Sequence, residues 1–391
     1  MRILLFSSTY PPLIGGVETV THRLARELKD RGHDVTVVTN RYPRSLAGRE
    51  VIDGIAVTRR LYPNLLPSPG RRRAITIAKQ VLSIPLGAFE LMELVREFRR
   101  VRPDVVNIHY FSYPAAYALL AARLARLPVV LCFHGSDAPG VPYPATYPWA
   151  ARWACRMAHR VICCSDDLAS YLHRSAAAST GKVSVSHYGV DAEGVASAGT
   201  LAGQEPFMLL PARLVEKKGV EIAIRAMAEL GRSGVDARMV VIGSGPLDAE
   251  LRALALDLGL DNNVIFAGSV EHEVAREMMA RAQFVVVPSH WEAFGMVCLE
   301  AMAAGRAIVG CDNGGIAEIV VAGETGLLVA PRDPSALAAA MALLLADPDR
   351  AEAMGHRGRD RVEASFTWAQ MVDRYESRFR DAVEANGSSN G

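Results

Sequence analysis

Short apolar runs alternate along the chain with longer stretches in which apolar residues recur every third or fourth position. Residues 3–8, 34–39, 104–109, 128–134, 160–165 and 182–186 read as strands, with a further pair of strands around Gly54. Residues 17–31 read as a helix with Val20, Leu24 and Leu28 on one face and Gly32 as its stop, and residues 74–100 as a long helical region. The pattern then starts over. Residues 207–212, 239–242, 263–266 and 284–288 are strand-like, with helices from Val220, from Leu247 and over 274–282 between them. Strands alternating with helices predict parallel sheets covered on both faces, so the fold class is α/β, with two doubly wound, Rossmann-like domains. The Ala-, Gly-, Ser- and Thr-rich residues 191–206 are the expected linker between a domain over 1–190 and one over 207–365. A final helix over 366–385 carries Trp368, Met371, Val372, Tyr375 and Phe379 at helical spacing, and residues 386–391 are expected to be disordered.

Bulk numbers narrow the picture. At 391 residues the chain exceeds one ordinary core. With 43 basic against 42 acidic residues it lacks the basic excess of a nucleic-acid binder, so no nucleic-acid partner is expected and anion recognition must be local. The longest apolar run, 336–346, is too short to span a bilayer and reads as a buried helix. The amino-terminal residues MRILLFSSTYPP do not fit a signal peptide, so a cytoplasmic protein is expected, with its six cysteines reduced and mostly buried.

Candidate chemistry concentrates at strand ends. Residues 288–301, PSHWEAFGMVCLEA, follow the apolar strand at 284–288 and place Glu292 on a loop, Gly295 at a helix start and Glu300 on the opening turns of that helix. Free N–H groups there, from Phe294 through Gly295 and Met296 to Val297, favour an anion, although an acid at a helix start also merely complements the dipole. Arg213 and Lys218 flank a turn after the strand at 207–212 that could close both cations on a phosphate pair or stay a solvated basic loop. Lys217 and Lys218 supply two of only five lysines. Gly15 and Gly16 follow the first strand, and Gly243-Ser-Gly-Pro246 follows another; neither makes the G-x-G-x-x-G dinucleotide fingerprint. His134, at a strand end before Gly135 and Asp137, suits either a structural hydrogen bond or a ligand contact. The sequence Asp347-Pro-Asp349 reads more simply as a helix cap than as a metal site, so no metal is expected.

The E-x7-E spacing of Glu292 and Glu300, with Phe294-Gly295 between them, resembles the signature of retaining glycosyltransferases of the GT-B fold, most closely family four. Gly15-Gly16-Val17-Glu18, His134, the R-L-x-x-x-K-G segment from Arg213, the G-x-G-P turn from Gly243 and the loop from Phe266 to Val270 fall in that family's order. The resemblance implies two domains facing a cleft, with the last helix crossing back to the first. It also implies a nucleoside-diphosphate-sugar donor, no other cofactor, and transfer to a glycan, a lipid-linked or a small-molecule acceptor. Arg213 and Lys218 would then hold the diphosphate, with Gly15, Gly16, Gly243 and the amides of 294–297 beside the donor. Glu300 would take the ribose, Val270 would lie by the base, and Glu292 and His134 would orient the sugar. A nucleotide-sugar epimerase of the same fold and a non-catalytic nucleotide-sugar-binding protein remain alternatives. Residues 65–84 set Arg71, Arg72, Arg73 and Lys79 among apolar side chains, which predicts weak peripheral contact with a membrane surface.

Overall fold

β-branched and aliphatic runs buried on both faces have no polar side to turn to water, and they form the centres of two sheets. In the computed structural model, residues 1–13, 15–63, 73–145, 148–175, 177–191 and 206–389 are described, the side chains of 73–83, 180 and 389 excepted. The chain divides into two units, one of Met1–His187 together with the residues from Met371 onward, the other of Tyr188–Gln370.

The first unit's strands are β1 (Arg2–Ser7), β2 (Asp34–Asn40), β3 (Arg49–Ile52), β4 (Ile55–Arg60), β5 (Val105–His109), β6 (Val129–Phe133), β7 (Arg160–Cys163) and β8 (Val183–Val185). They order as β3-β4-β2-β1-β5-β6-β7-β8, parallel except for the β3–β4 hairpin that turns at Gly54. The second unit holds β9 (Met208–Pro211), β10 (Met239–Ile242), β11 (Val264–Gly268), β12 (Val285–Val287), β13 (Ile308–Cys311) and β14 (Gly326–Val329). Their order is β11-β10-β9-β12-β13-β14, all parallel. In each sheet the order reverses once, between β1 and β5 and between β9 and β12. Ligands of open α/β sheets bind outside the strands' carboxyl ends at such a reversal.

Helices cover the sheets with the faces their spacing predicts. The helix Gly16–Asp30 buries Val20, Leu24 and Leu28. The apolar run 336–346 lies in the helix Pro334–Ala346, which buries Leu337, Met341 and Leu344 against Ile224, Met227 and Val309. Asp347 accepts a hydrogen bond from Arg350 N at 3.0 Å and caps the helix Pro348–Ser365, the role read for Asp347-Pro-Asp349. All six cysteines are buried, and none is in a disulfide.

One reading changes. The carboxyl-terminal residues are helical, not disordered, as far as the description runs, because the helix Trp368–Ser389 continues through Ala385-Asn386-Gly387. Asn386 donates to Arg126 O at 3.2 Å and Ser388 to Glu384 O at 3.1 Å, so the polar side chains there serve the backbone. From Met371 this helix packs in the first unit, where Tyr375 and Phe379 are buried, Tyr375 stacks on His109 and Arg31 pairs with Asp373 at 2.6 Å. Linker residues 192–205 lie outside the described residues, and so does the basic–apolar stretch 65–84 apart from Ile84 and the backbone of 73–83. No described helix is long and apolar enough to cross a membrane.

Candidate active site

In the second unit, the loops after the two reversal strands touch. The loop after β9 makes one turn of 3-10 helix, Glu216–Lys218, and ends at Gly219, whose φ of 62° is left-handed. A Cβ on Gly219 would lie 2.1 Å from Pro288 O in the loop after β12, so both the torsion and the close approach require glycine. His290 N donates to Lys217 O at 2.8 Å and locks the loops together. Lys218 Nζ forms an ion pair and hydrogen bond with Glu292 Oε2. Burial pushes the Glu292 carboxyl up, but the Lys218 cation outweighs it and holds the group below its ordinary value. Ser289 Oγ adds a hydrogen bond at 3.4 Å. Asn313, in the turn after β13, ties the loop by accepting from Glu292 N at 3.2 Å and donating to Ser289 O at 2.6 Å.

Gly295 leads into the helix Met296–Ala303 with φ 110°, and the N–H groups of Met296 and Val297 meet no acceptor among the described residues. They form the anion-favouring end expected there. Phe294 is buried and packs edge-on against Tyr188 at 4.8 Å, so its side chain anchors the loop and leaves ligand contact to its backbone. Glu300 is half-buried on the next turn, and burial pushes its carboxyl up to about 7, a rise that Arg276 moderates. Arg213 is exposed, whereas Lys218 turns inward, so the two cations expected to act together are held differently.

Gly243 sits at φ 126°, where a Cβ would come within 2.0 Å of Ala212 O. Its N–H donates to Gly268 O at 2.7 Å, so this glycine seals the loops after β9, β10 and β11 together and offers no amide to an anion. Val270 is half-buried in the loop after β11, beside the Ser269–Ser244 hydrogen bond of 2.8 Å.

In the first unit, Gly15 and Gly16 start the helix Gly16–Asp30 after β1, with the Glu18 carboxylate folded back over Gly15. His134 follows β6. Asp137, fully buried, fixes its backbone by accepting from His134 N at 2.9 Å, from Gly135 N at 2.8 Å and from Phe111 N at 3.0 Å. Burial raises the Asp137 carboxyl to about 7, and these donors oppose the rise. Burial also keeps the His134 imidazole neutral, lowering it to about 3. Its Nε2 lies 3.1 Å from Nδ1 of His109, a residue the sequence reading had treated only as part of a strand. The signal was available: Asn107 and His109 are polar and alternate within an apolar β5, so both face the same side.

Comparison with known proteins agrees with this arrangement. Residues 14–193 match the family model described as Glycosyltransferase Family 4, and residues 196–361 that of Glycosyl transferases group 1. A glycogen synthase of Mycobacterium tuberculosis is 31% identical over 388 residues, covering 95% of this chain and 92% of that protein. The N-acetyl-alpha-D-glucosaminyl L-malate synthase of Bacillus anthracis is 24% identical, covering 98% of each. Among solved structures, the sucrose-phosphate synthase of Thermosynechococcus elongatus superposes with a TM-score of 0.79 at 23% identity over 98% of this chain and 100% of that one. Anabaena HepE in complex with UDP-glucose superposes with a TM-score of 0.74 at 20% identity, over 96% and 99%. Two parallel-sheet units of this topology, matched across nearly the whole length by such relatives, make the chain a member of the group 1 glycosyl transferases, an enzyme of the GT-B fold.

Proposed function

We propose that the enzyme transfers a sugar from a nucleoside-diphosphate sugar to an acceptor hydroxyl with retention of anomeric configuration. The observation that carries this reading is the Lys218–Glu292 pair at the β9–β12 reversal, beside the open N–H groups of Met296 and Val297. Together they set a cation and a helix start, both suited to a departing diphosphate, next to a carboxylate suited to sugar hydroxyls. Support for the donor class also comes from HepE, whose structure holds UDP-glucose. In this reading Arg213 adds charge from the surface, Glu300 accepts from the ribose hydroxyls, and His134 is a sugar contact.

Retention is favoured by what Glu292 already does. Its carboxylate is engaged by Lys218 and Ser289, which suits holding a sugar hydroxyl better than attacking the anomeric carbon. The bond from the anomeric carbon to the phosphate oxygen then breaks as the acceptor oxygen bonds on the same face, and the acceptor proton passes to the departing phosphate. No divalent ion takes part in the proposed step, since Lys218 and the helix start supply the charge that an ion otherwise would. The test is NMR of the earliest product formed with and without EDTA. The expected result is an unchanged anomeric configuration at an undiminished rate. Inversion would overturn the retaining route, and activity lost to EDTA and restored by manganese would overturn the metal-free one.

The acceptor side of the proposal includes weak, salt-sensitive membrane contact through residues 65–84, from the basic cluster of Arg71, Arg72 and Arg73. Wild type is expected to pellet with anionic vesicles at low salt and to stay in solution with neutral ones, while the Arg71, Arg72, Arg73→Ser variant stays in solution with both. Equal pelleting of the variant, or none by wild type, points instead to a soluble acceptor.

A further inference from the structure

Five cations gather at the edge of the first sheet where its strands begin. Arg126 lies shortly before β6, Arg160 opens β7 and Lys182 immediately precedes β8. These strands are parallel, so the three residues share the amino edge of the sheet. His134 follows the opposite end of β6, a five-residue strand or roughly 16 Å away. Arg123 and Arg156 join them from the last turns of the helices Tyr113–Leu124 and Pro148–Met157. With His159 and Asn386 they line a cavity of about 410 Å³, and no acidic residue stands among its described lining.

Cations at a helix carboxyl end complement the dipole, which accounts for Arg123 and Arg156 but not for Arg126, Arg160 and Lys182. None of the five pairs with a carboxylate among the described residues, and the guanidinium groups of Arg126 and Arg156 meet no acceptor there at all. Lys182 is held by carbonyls instead, donating to Ala158 O at 3.1 Å and Arg156 O at 3.3 Å, and Arg160 donates to His159 O at 3.0 Å. Val129 N donates to His159 Nδ1 at 3.0 Å, so the neutral ring carries its hydrogen on Nε2. That nitrogen lies 3.3 Å from Arg123 Nη1, and two donors therefore face each other. Burial lowers the His159 imidazole, and the charges of Arg123, Lys182 and Arg160 lower it further, against a hydrogen bond with the Asn386 side chain. The cavity's own base thus feels a positive field that no described carboxylate offsets.

We propose that this cavity binds a small soluble anion carrying two phosphate groups, at residues none of which belongs to the proposed nucleotide-sugar site. Guanidinium forks match phosphate oxygens in pairs, and an ammonium adds a point charge. Five positive charges exceed the charge of about two that a single phosphate brings. The volume is within the range of small-molecule sites and larger than one phosphate fills. Asn386 of the last helix forms part of the wall and donates to Arg126 O at 3.2 Å, so an anion held by Arg126 also tightens the seat of that helix on the first unit. The inference does not depend on the transfer reaction proposed above.

The probe is inorganic pyrophosphate, titrated by calorimetry into the full chain, wild type against an Arg126→Gly, Arg156→Gln variant. Both side chains are exposed, and glycine suits the left-handed φ of 55° at Arg126, so the variant is expected to keep the wild-type Tm and transfer rate. Any binding at the nucleotide-sugar site is common to the two proteins and cancels in the comparison. Wild type is expected to show a saturable site that the variant holds at least about tenfold more weakly, as the loss of two charge-assisted contacts implies. In wild type, pyrophosphate is also expected to slow hydrogen exchange over residues 380–388, an effect absent from the variant. Equal affinities in the two proteins, or unchanged exchange in that helix of wild type, overturn the site. Vesicles containing phosphatidic acid separate a lipid phosphate from a free one: retention of wild type and release of the variant, without pyrophosphate binding by either, overturns the soluble ligand.

Discussion

Lys218→Ala is expected to raise the barrier to transfer by about 2.7–4 kcal/mol, a loss of about 10²–10³ in kcat, as when one preorganised donor to a developing negative charge is removed. Lys218 is held rigid before any ligand arrives, by its ion pair with Glu292 and by the 3-10 turn that Gly219 ends against Pro288. A preorganised cation needs no reorganisation when charge appears on the leaving oxygen, which is why its loss falls on kcat. The substitution also strands Glu292. With that cation gone, only Lys217 and the Ser289 hydrogen bond still oppose burial, and the carboxyl's pKa rises. Stability therefore falls as well, because removing one partner of a buried pair costs more than replacing both. The double variant Lys218→Met, Glu292→Gln separates the two effects: it is expected to recover much of the stability by thermal unfolding while remaining inactive in steady-state assays. A loss of less than threefold in Lys218→Ala would place this lysine outside the chemistry.

Glu300→Gln is expected to stabilise the protein above neutral pH while weakening its hold on the donor. The Glu300 carboxyl rises from 4.5 to about 7 because burial penalises its charge. The sign follows from proton binding. As pH climbs through 4.5 the unfolded chain releases this proton freely while the folded chain retains it, so stability is lost between that pH and about 7, and the full penalty persists above. At 1.36 kcal/mol per pH unit the penalty is about 3 kcal/mol at most. Glutamine carries no charge to desolvate, so the variant and wild type should unfold alike near pH 4.5, diverge up to about pH 7 and differ by a constant amount above it. Under the proposed reading the same substitution removes charge-assisted hydrogen bonds to ribose hydroxyls, each worth about 1.5–3 kcal/mol, and donor titration should show a correspondingly higher Kd. A stability difference that does not change with pH would show that Glu300 titrates normally.

Much of the fold could be read from period alone. Runs such as those of β6 and β12 are too short and too branched for helices, and their carboxyl ends placed His134 and Glu292 at the sheet edges. The pairings were not legible. Lys218 and Glu292 are separated by 74 positions, and only the adjacency of β9 and β12 brings them together. Gly243 looked like an anion turn because its local sequence is one, yet a distant carbonyl, that of Gly268, takes its amide. The carboxyl-terminal helix ran past its expected end because composition alone, rich in Asn, Gly and Ser, does not reveal that Asn386 has a backbone carbonyl to serve.

That last helix also sets the order in which the molecule can be completed during synthesis. The first unit draws Tyr375 and Phe379 from the far end of the chain, after the whole of the second unit has been made. Until residues 371–379 are made, the first sheet must therefore wait with part of its core uncovered, including the face of His109 on which Tyr375 will stack. Domains made early ordinarily fold early; here the first unit is completed only after the second has been made, and a nascent chain stalled before Met371 exposes apolar surface that only the residues from Met371 onward can close.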